Sequence, residues 1–130
     1  MLVVDASVLA PALADDGPDG DAARARMRGN ALAAPELIDL ETTSVIRRRL
    51  AAGALDTRRA ALALTDLFEL PLRRAPHRPL LARCWELRKN MTVYDAAHVA
   101  LAELLGAVLV TADARLVKTP GARCTLELLR

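Results

Sequence analysis

Leu2-Val3-Val4-Asp5 and Ala107-Val108-Leu109-Val110-Thr111-Ala112-Asp113 are the two stretches on which the fold turns. Each is a short apolar run followed closely by an acid. A strand with one face in water alternates apolar and polar residues, whereas a run that is apolar throughout belongs to a strand covered on both faces, as in a parallel sheet.

Working outward, helical patterns separate further strand candidates. Ser7 to Ala14 reads as a helix stopped by the Asp15-Asp16-Gly17-Pro18 turn signal, and Asp21 to Arg28 as a more polar helix ending at Gly29-Asn30. Ala31 to Ala34 forms a short strand before Pro35. A long helical pattern from Glu36 to Ala52 closes on Gly53, and another runs from Thr57 to Phe68 with Asp56 as N-cap. Leu70 to Arg74 reads as a strand, with Pro71 favouring a sheet edge. Arg78 to Lys89 and Thr92 to Leu105 read as helices, the latter followed by Gly106, and Cys124 to Leu128 as a last strand. Strands alternating with helices predict an α/β fold with a parallel sheet and helices on both faces. Ligands of such sheets bind beyond the carboxyl ends of the strands.

The bulk properties set the class. The 130 residues, 53% of them hydrophobic, suit one domain over 1–130 with a core of its own. No basic region precedes the first acid, and no stretch approaches the ~20 apolar residues of a membrane span, so a cytoplasmic protein without a membrane partner is expected. Cys84 and Cys124 are far apart and lack the neighbours of a zinc set, so they read as small reduced hydrophobes. The net charge of +2 is compatible with an acidic polymer without requiring one. Phe68, Trp85 and Tyr94 are the only aromatics, too few for the stacking platform of a single-strand-binding sheet.

Four carboxylates stand in places that ask for an explanation. Asp5 and Asp113 each follow a buried strand and emerge at one carboxyl edge if those strands are parallel neighbours; either also suits a helix N-cap or a turn. Glu41 falls on a helix arc shared with Leu37, Ser44, Val45 and Ala52, where an ionised side chain meets the core unless something compensates it. Arg48, on the same face, is one candidate partner, and a cleft at the end of the sheet is another solution. Asp95 is set three residues after Thr92 in a capping-box pattern, near the positive end of a helix dipole. Taken together, several acids at one edge repel one another and raise each other's pKa, and a divalent cation relieves that. Oxygen-only ligands suit Mg²⁺ or Mn²⁺ better than zinc or copper. Ser7 and Thr111 carry hydroxyls that either support the acids or serve only as cap and strand end. His98, one turn beyond Asp95, fits a structural role better than ligation, and His77 lies in a loop with nothing to recommend it. Arg47 and Arg48 offer a phosphate-facing patch or a solvated helix face.

At these residues the sequence resembles the PIN-domain ribonucleases, and within them the VapC-type toxins of bacterial toxin–antitoxin pairs. Val3-Val4-Asp5-Ala6-Ser7-Val8-Leu9 is similar to the family's opening strand and first acid, and Pro35 through Glu41 to Ile46-Arg47-Arg48 to the segment with the second. Tyr94-Asp95-Ala96 with Val99-Ala100-Leu101-Ala102-Glu103 resembles the third, and Leu109-Val110-Thr111-Ala112-Asp113 with Leu116 the fourth. The resemblance spans essentially the whole chain. It implies a three-layer sandwich around a five-stranded parallel sheet, and a Mg²⁺- or Mn²⁺-dependent endoribonuclease that hydrolyses RNA phosphodiesters with metal-activated water. It further implies Asp5 and Asp95 as the firmest ligands, with Glu41 and Asp113 completing the site, a cognate VapB-type antitoxin, and a homodimer. Some relatives carry a further acid just beyond the fourth, where this chain has Arg115 and Leu116, which bears on a second metal.

Two other readings compete with this one. A phospho-accepting receiver domain needs an acidic pair after its first strand, where Ala6-Ser7 follow Asp5, and an acceptor Asp after its middle strand, which here ends in Arg73-Arg74-Ala75. A catalytically silent module binding RNA or protein has no need of all four acids.

Overall fold

The computed structural model describes every residue from Met1 to Arg130. The two apolar runs become strands β1 (Leu2–Val4) and β4 (Val108–Thr111), which pair in parallel at the middle of the sheet with Val3 opposite Leu109 and Val4 opposite Val110. Strand β2 (Leu32–Pro35) lies on the other side of β1. Strands β3 (Leu72–Ala75) and β5 (Leu126–Leu128) form the edges, giving the order β3-β2-β1-β4-β5 with every pair parallel. The strand after Pro71 is an edge strand, as its sequence predicts.

Helices α1 (Ala6–Ala14), α2 (Pro18–Met27), α3 (Ile38–Ala51) and α4 (Thr57–Glu69) feed a core on one face. A 3₁₀ turn (Arg78–Leu80), α5 (Leu81–Glu86), α6 (Val93–Leu105) and α7 (Ala114–Lys118) feed a core on the other. Alternation along the strands divides their residues between the two. Leu2, Val4, Leu32, Ala34 and Val110 join Val8, Leu9, Ile38 and Ile46 on the first face. Val3, Ala33 and Leu109 join Leu87, Val99 and Leu101 on the second. The central strands are apolar at every position because both of their faces are covered, and each buried Val or Leu contributes roughly 1.5–3 kcal/mol.

The elements differ from their expected bounds in informative ways. The segment from Arg78 to Lys89 is a 3₁₀ turn followed by a short α5, not one helix. Helix α2 starts earlier than expected, at Pro18, a residue suited to a first turn. Gly20 is required where α1 meets α2, since a Cβ there would lie 1.8 Å from the Asp15 carbonyl oxygen. Helix α7 is unforeseen because five residues are too few to show a period. No helix is long and apolar enough to cross a membrane.

Strands β1, β2 and β3 are laid down in one direction across the sheet, and β4 and β5 in the other. The reversal lies between β1 and β4, and a crevice opens beyond the carboxyl ends at such a switch point. Asp5 and Asp113 stand just past those two ends.

Candidate active site

Asp5 ends β1 and caps α1. One carboxylate oxygen accepts from the Ser7 amide at 3.1 Å and from the Ser7 hydroxyl; the other accepts from Thr111 Oγ1 at 2.6 Å. Each hydroxyl has one hydrogen, and both are spent on Asp5. Their oxygens in turn accept from the backbone after β4, Ser7 from Ala112 N at 2.8 Å and Thr111 from Asp113 N at 3.1 Å. Ser7 and Thr111 therefore stitch the ends of the two central strands together and fix the rotamer of Asp5. Asp113 caps α7, accepting from Arg115 N at 2.9 Å. The cap readings of Asp5 and Asp113 are both correct, and both acids remain at the crevice.

Glu41 reaches the same place from the first helical layer and Asp95 from the second. Asp95 sits in the first turn of α6, its amide donating to the Thr92 hydroxyl at 3.1 Å. The four carboxylates share one electrostatic field. Burial, and then the charges of Asp5 and Asp95, push the Glu41 carboxyl up to about 7. Burial also raises Asp95, with Asp5 and Asp113 adding to it against the opposing pull of His98 and the Thr92 cap. For Asp113 the penalty of burial is outweighed by the Arg115 amide and guanidinium, which hold it below the ordinary carboxylate range. Yet no three of the carboxylates and imidazoles close around a single point.

The neighbour of Glu41 is not the one its helix suggested. Arg48 shares the face but donates to Ser44 Oγ at 3.0 Å. Facing Glu41 instead is His98, almost wholly buried, with Nε2 at 3.5 Å from Glu41 Oε1. His98 Nδ1 lies 3.0 Å from the Tyr94 carbonyl, which can only accept, so Nδ1 carries the hydrogen and the Nε2 lone pair points at Glu41. Burial holds the His98 pKa below its usual value. Glu41 Oε1 and His98 Nε2 face each other, and both atoms are buried without a hydrogen bond. His77, which no motif singles out, accepts from Leu37 N through Nε2 at 2.9 Å and so caps the start of α3 from a distant loop. No spacing signal could have revealed either tertiary contact.

Arg48 lines a groove with Glu41, Ser44 and Tyr94. Arg47 is exposed and lies about a third of a turn further round, outside that groove, so the pair does not act as one patch. The donor set fits a hard divalent cation: the acids offer oxygen only, and Glu41 Oε1 is a buried acceptor lacking a partner.

An α/β sheet with acids from β1, α3, α6 and β4 at its switch point defines a class, and the chain belongs to it: it is a member of the PIN-domain family, whose model matches residues 2–122. Within the family its similarity is to VapC proteins. It is 42% identical to ribonuclease VapC9 of Mycobacterium tuberculosis over 132 residues, covering 99% of this chain and 98% of the relative. It is 38% identical to ribonuclease VapC1 of the same species over 129 residues, covering 98% and 97%. Among solved structures, Mycobacterium tuberculosis VapC20, a sarcin–ricin loop cleaving toxin, shares the fold with a TM-score of 0.71 at 16% identity, over 91% of this chain and 94% of that one. VapBC2 from Rickettsia felis, bound to a DNA fragment from their promoter, gives 0.70 at 15% identity over 99% and 98%.

Proposed function

We propose that this chain is a divalent-metal-dependent endoribonuclease, the toxin of a toxin–antitoxin pair, and that Asp5, Glu41, Asp95 and Asp113 hold its Mg²⁺ or Mn²⁺. The observation that carries the reading is the state of Glu41. A helix that needed only to pack would not retain a half-buried carboxyl pushed up to about 7, facing two other acids and paired with no lysine or arginine. A bound dication relieves that repulsion and draws a phosphodiester to the same place. The naming of the VapC9 and VapC1 relatives as ribonucleases supports RNA as substrate. The VapBC2 structure supports a VapB-type antitoxin as partner.

The chain's own residues divide the work. Asp5, its rotamer set by Ser7 and Thr111, keeps lone pairs free for ligation. Asp95 comes from the layer opposite Glu41, at the amino end of α6, and Asp113 follows β4 as the cap of α7; together these acids would hold the cation. When bound, the cation supplies Lewis-acid activation of water and neutralises charge developing on the phosphate and leaving oxygen. Hydrolysis forms a new P–O bond from water and breaks the bond to the leaving ribose oxygen, which takes up a proton. The His98 imidazole faces Glu41 and limits where that carboxylate can swing.

The test is cleavage of total RNA in Mg²⁺ with the ends mapped. Asp5→Asn and Asp95→Asn should each lower the rate by two orders of magnitude or more while the fold survives. Mg²⁺ should raise the melting temperature of the wild type and leave that of Asp5→Asn nearly unmoved. Full cleavage by both variants would remove the site assignment, and a wild type inert in Mg²⁺ and Mn²⁺ would remove the nuclease.

A further inference from the structure

Beside Glu41, between α3 and the first turn of α6, a groove of about 620 Å³ leads away from the acids. Most of its wall is apolar, and its polar groups are Glu41, Ser44 and Arg48 on successive turns of α3. We infer that this groove binds the nucleoside next to the scissile phosphate, with the base stacked on the Tyr94 ring and an adjoining phosphate paired with Arg48. The inference rests on the nuclease reading above and adds the substrate contacts that reading lacks.

Three observations converge. The groove is continuous with the site, since Glu41 belongs to both, so whatever fills it lies beside the reacting bond. Tyr94 is 65% exposed although it neighbours Asp95, and its backbone carbonyl is tied to the buried His98, so the ring is presented from a fixed base. Leu40, 76% exposed, supplies an apolar surface on α3. An aromatic face with an aliphatic wall suits any base, because every base has a π-face.

The cation is the third observation. Arg48 has Ser44 as its partner and no carboxylate, although Glu41 lies on the same helical face. Its neighbour Arg49 is engaged with Asp15 at 3.7 Å. A guanidinium held by a hydroxyl and left without an anion matches a phosphate, which it grips in two-point fashion. An apolar peptide would satisfy Tyr94 and Leu40 but leave Arg48 unmatched, whereas a nucleotide satisfies all of them at once.

The experiment uses the full chain and a defined single-stranded RNA that it cleaves in Mg²⁺. Tyr94→Leu and Arg48→Gln should each raise KM about tenfold with little change in melting temperature, and Tyr94→Phe should stay close to the wild type. In the Asp5→Asn protein, 5-iodouridine placed next to the cleaved bond should cross-link to Tyr94, located by mass spectrometry. Unchanged KM in both Tyr94→Leu and Arg48→Gln would overturn the inference and leave the nuclease intact. So would loss of a co-expressed antitoxin by these variants with RNA cleavage unaltered, which would make the groove a peptide site. A wild type that cleaves no RNA would strike down the parent reading and the inference together.

Discussion

The two ends of α6 treat a carboxylate in opposite ways. Near the carboxyl end, Glu103 has a side chain only 13% exposed and sits where the helix dipole disfavours an acid. Arg83 grips it with two hydrogen bonds, at 2.7 and 3.1 Å, and the Arg123 amide donates at 2.6 Å. Burial raises its pKa, but these contacts outweigh that and hold it below the ordinary range. At the amino end, Asp95 and the facing Glu41 are also partly buried, are raised, and have no arginine among them. The same helix thus carries one acid neutralised by the chain and another left for something outside it. Incomplete compensation, and not acidity as such, sets the end proposed as the site apart from the other.

The sharpest way to break this contrast is to remove the charge at each end. Glu41→Gln should lower RNA cleavage by about a hundredfold and raise the melting temperature of the metal-free protein, because repulsion disappears with the charge. Glu103→Gln should leave cleavage untouched and destabilise. If Glu41→Gln lost stability instead, the claim that the chain leaves it uncompensated would fail. Arg83→Ala strands Glu103 and should cost about 2 kcal/mol, read as a shift in denaturant midpoint without change in cleavage.

Acidity sharpens the same contrast. The Glu41 carboxyl stands at about 7 in the folded chain against 4.5 for an unperturbed glutamate, so between those values the folded chain holds more protons than the unfolded one. Stability of the metal-free protein should therefore fall as pH rises through that window, with Asp95 acting in the same direction. Glu103 has the opposite sign: its contribution is present above its unfolded value and lost on acidification. Melting curves across this range should slope downward toward neutral pH, flatten in Glu41→Gln, and recover in Mg²⁺ most strongly on the alkaline side. The smallest effect is structural. Thr92→Ala removes the cap of α6 and should cost about 1 kcal/mol, with any loss of activity confined to weaker Mg²⁺ affinity.

The strands and the acids were legible because both are written locally. An all-apolar run announces a doubly covered strand, and an acid directly after it announces the edge where ligands bind. Burial on one helix face made Glu41 conspicuous for the same reason. What faces Glu41 was not legible: helical periodicity nominates Arg48, but α6 brings His98 across from the other layer, and no one-dimensional spacing encodes that approach. The cap that His77 provides to α3 is hidden in the same way, 40 residues from Leu37. Helix α7 and the break between the 3₁₀ turn and α5 escaped because segments of three to six residues are too short to show a period.

The hydrogen bond from Thr111 to Asp5 joins residues 106 positions apart. Synthesis from the amino end makes Asp5 well before its fixing partner, which comes only when β4 is translated. Throughout the interval Asp5 has no Thr111 to set its rotamer and no Asp113 beside it, so the growing polypeptide is without a finished centre while it is still tethered to the RNA-rich machine that makes it. Placing the two central strands so far apart along the sequence delays the assembly of these acids by topology alone.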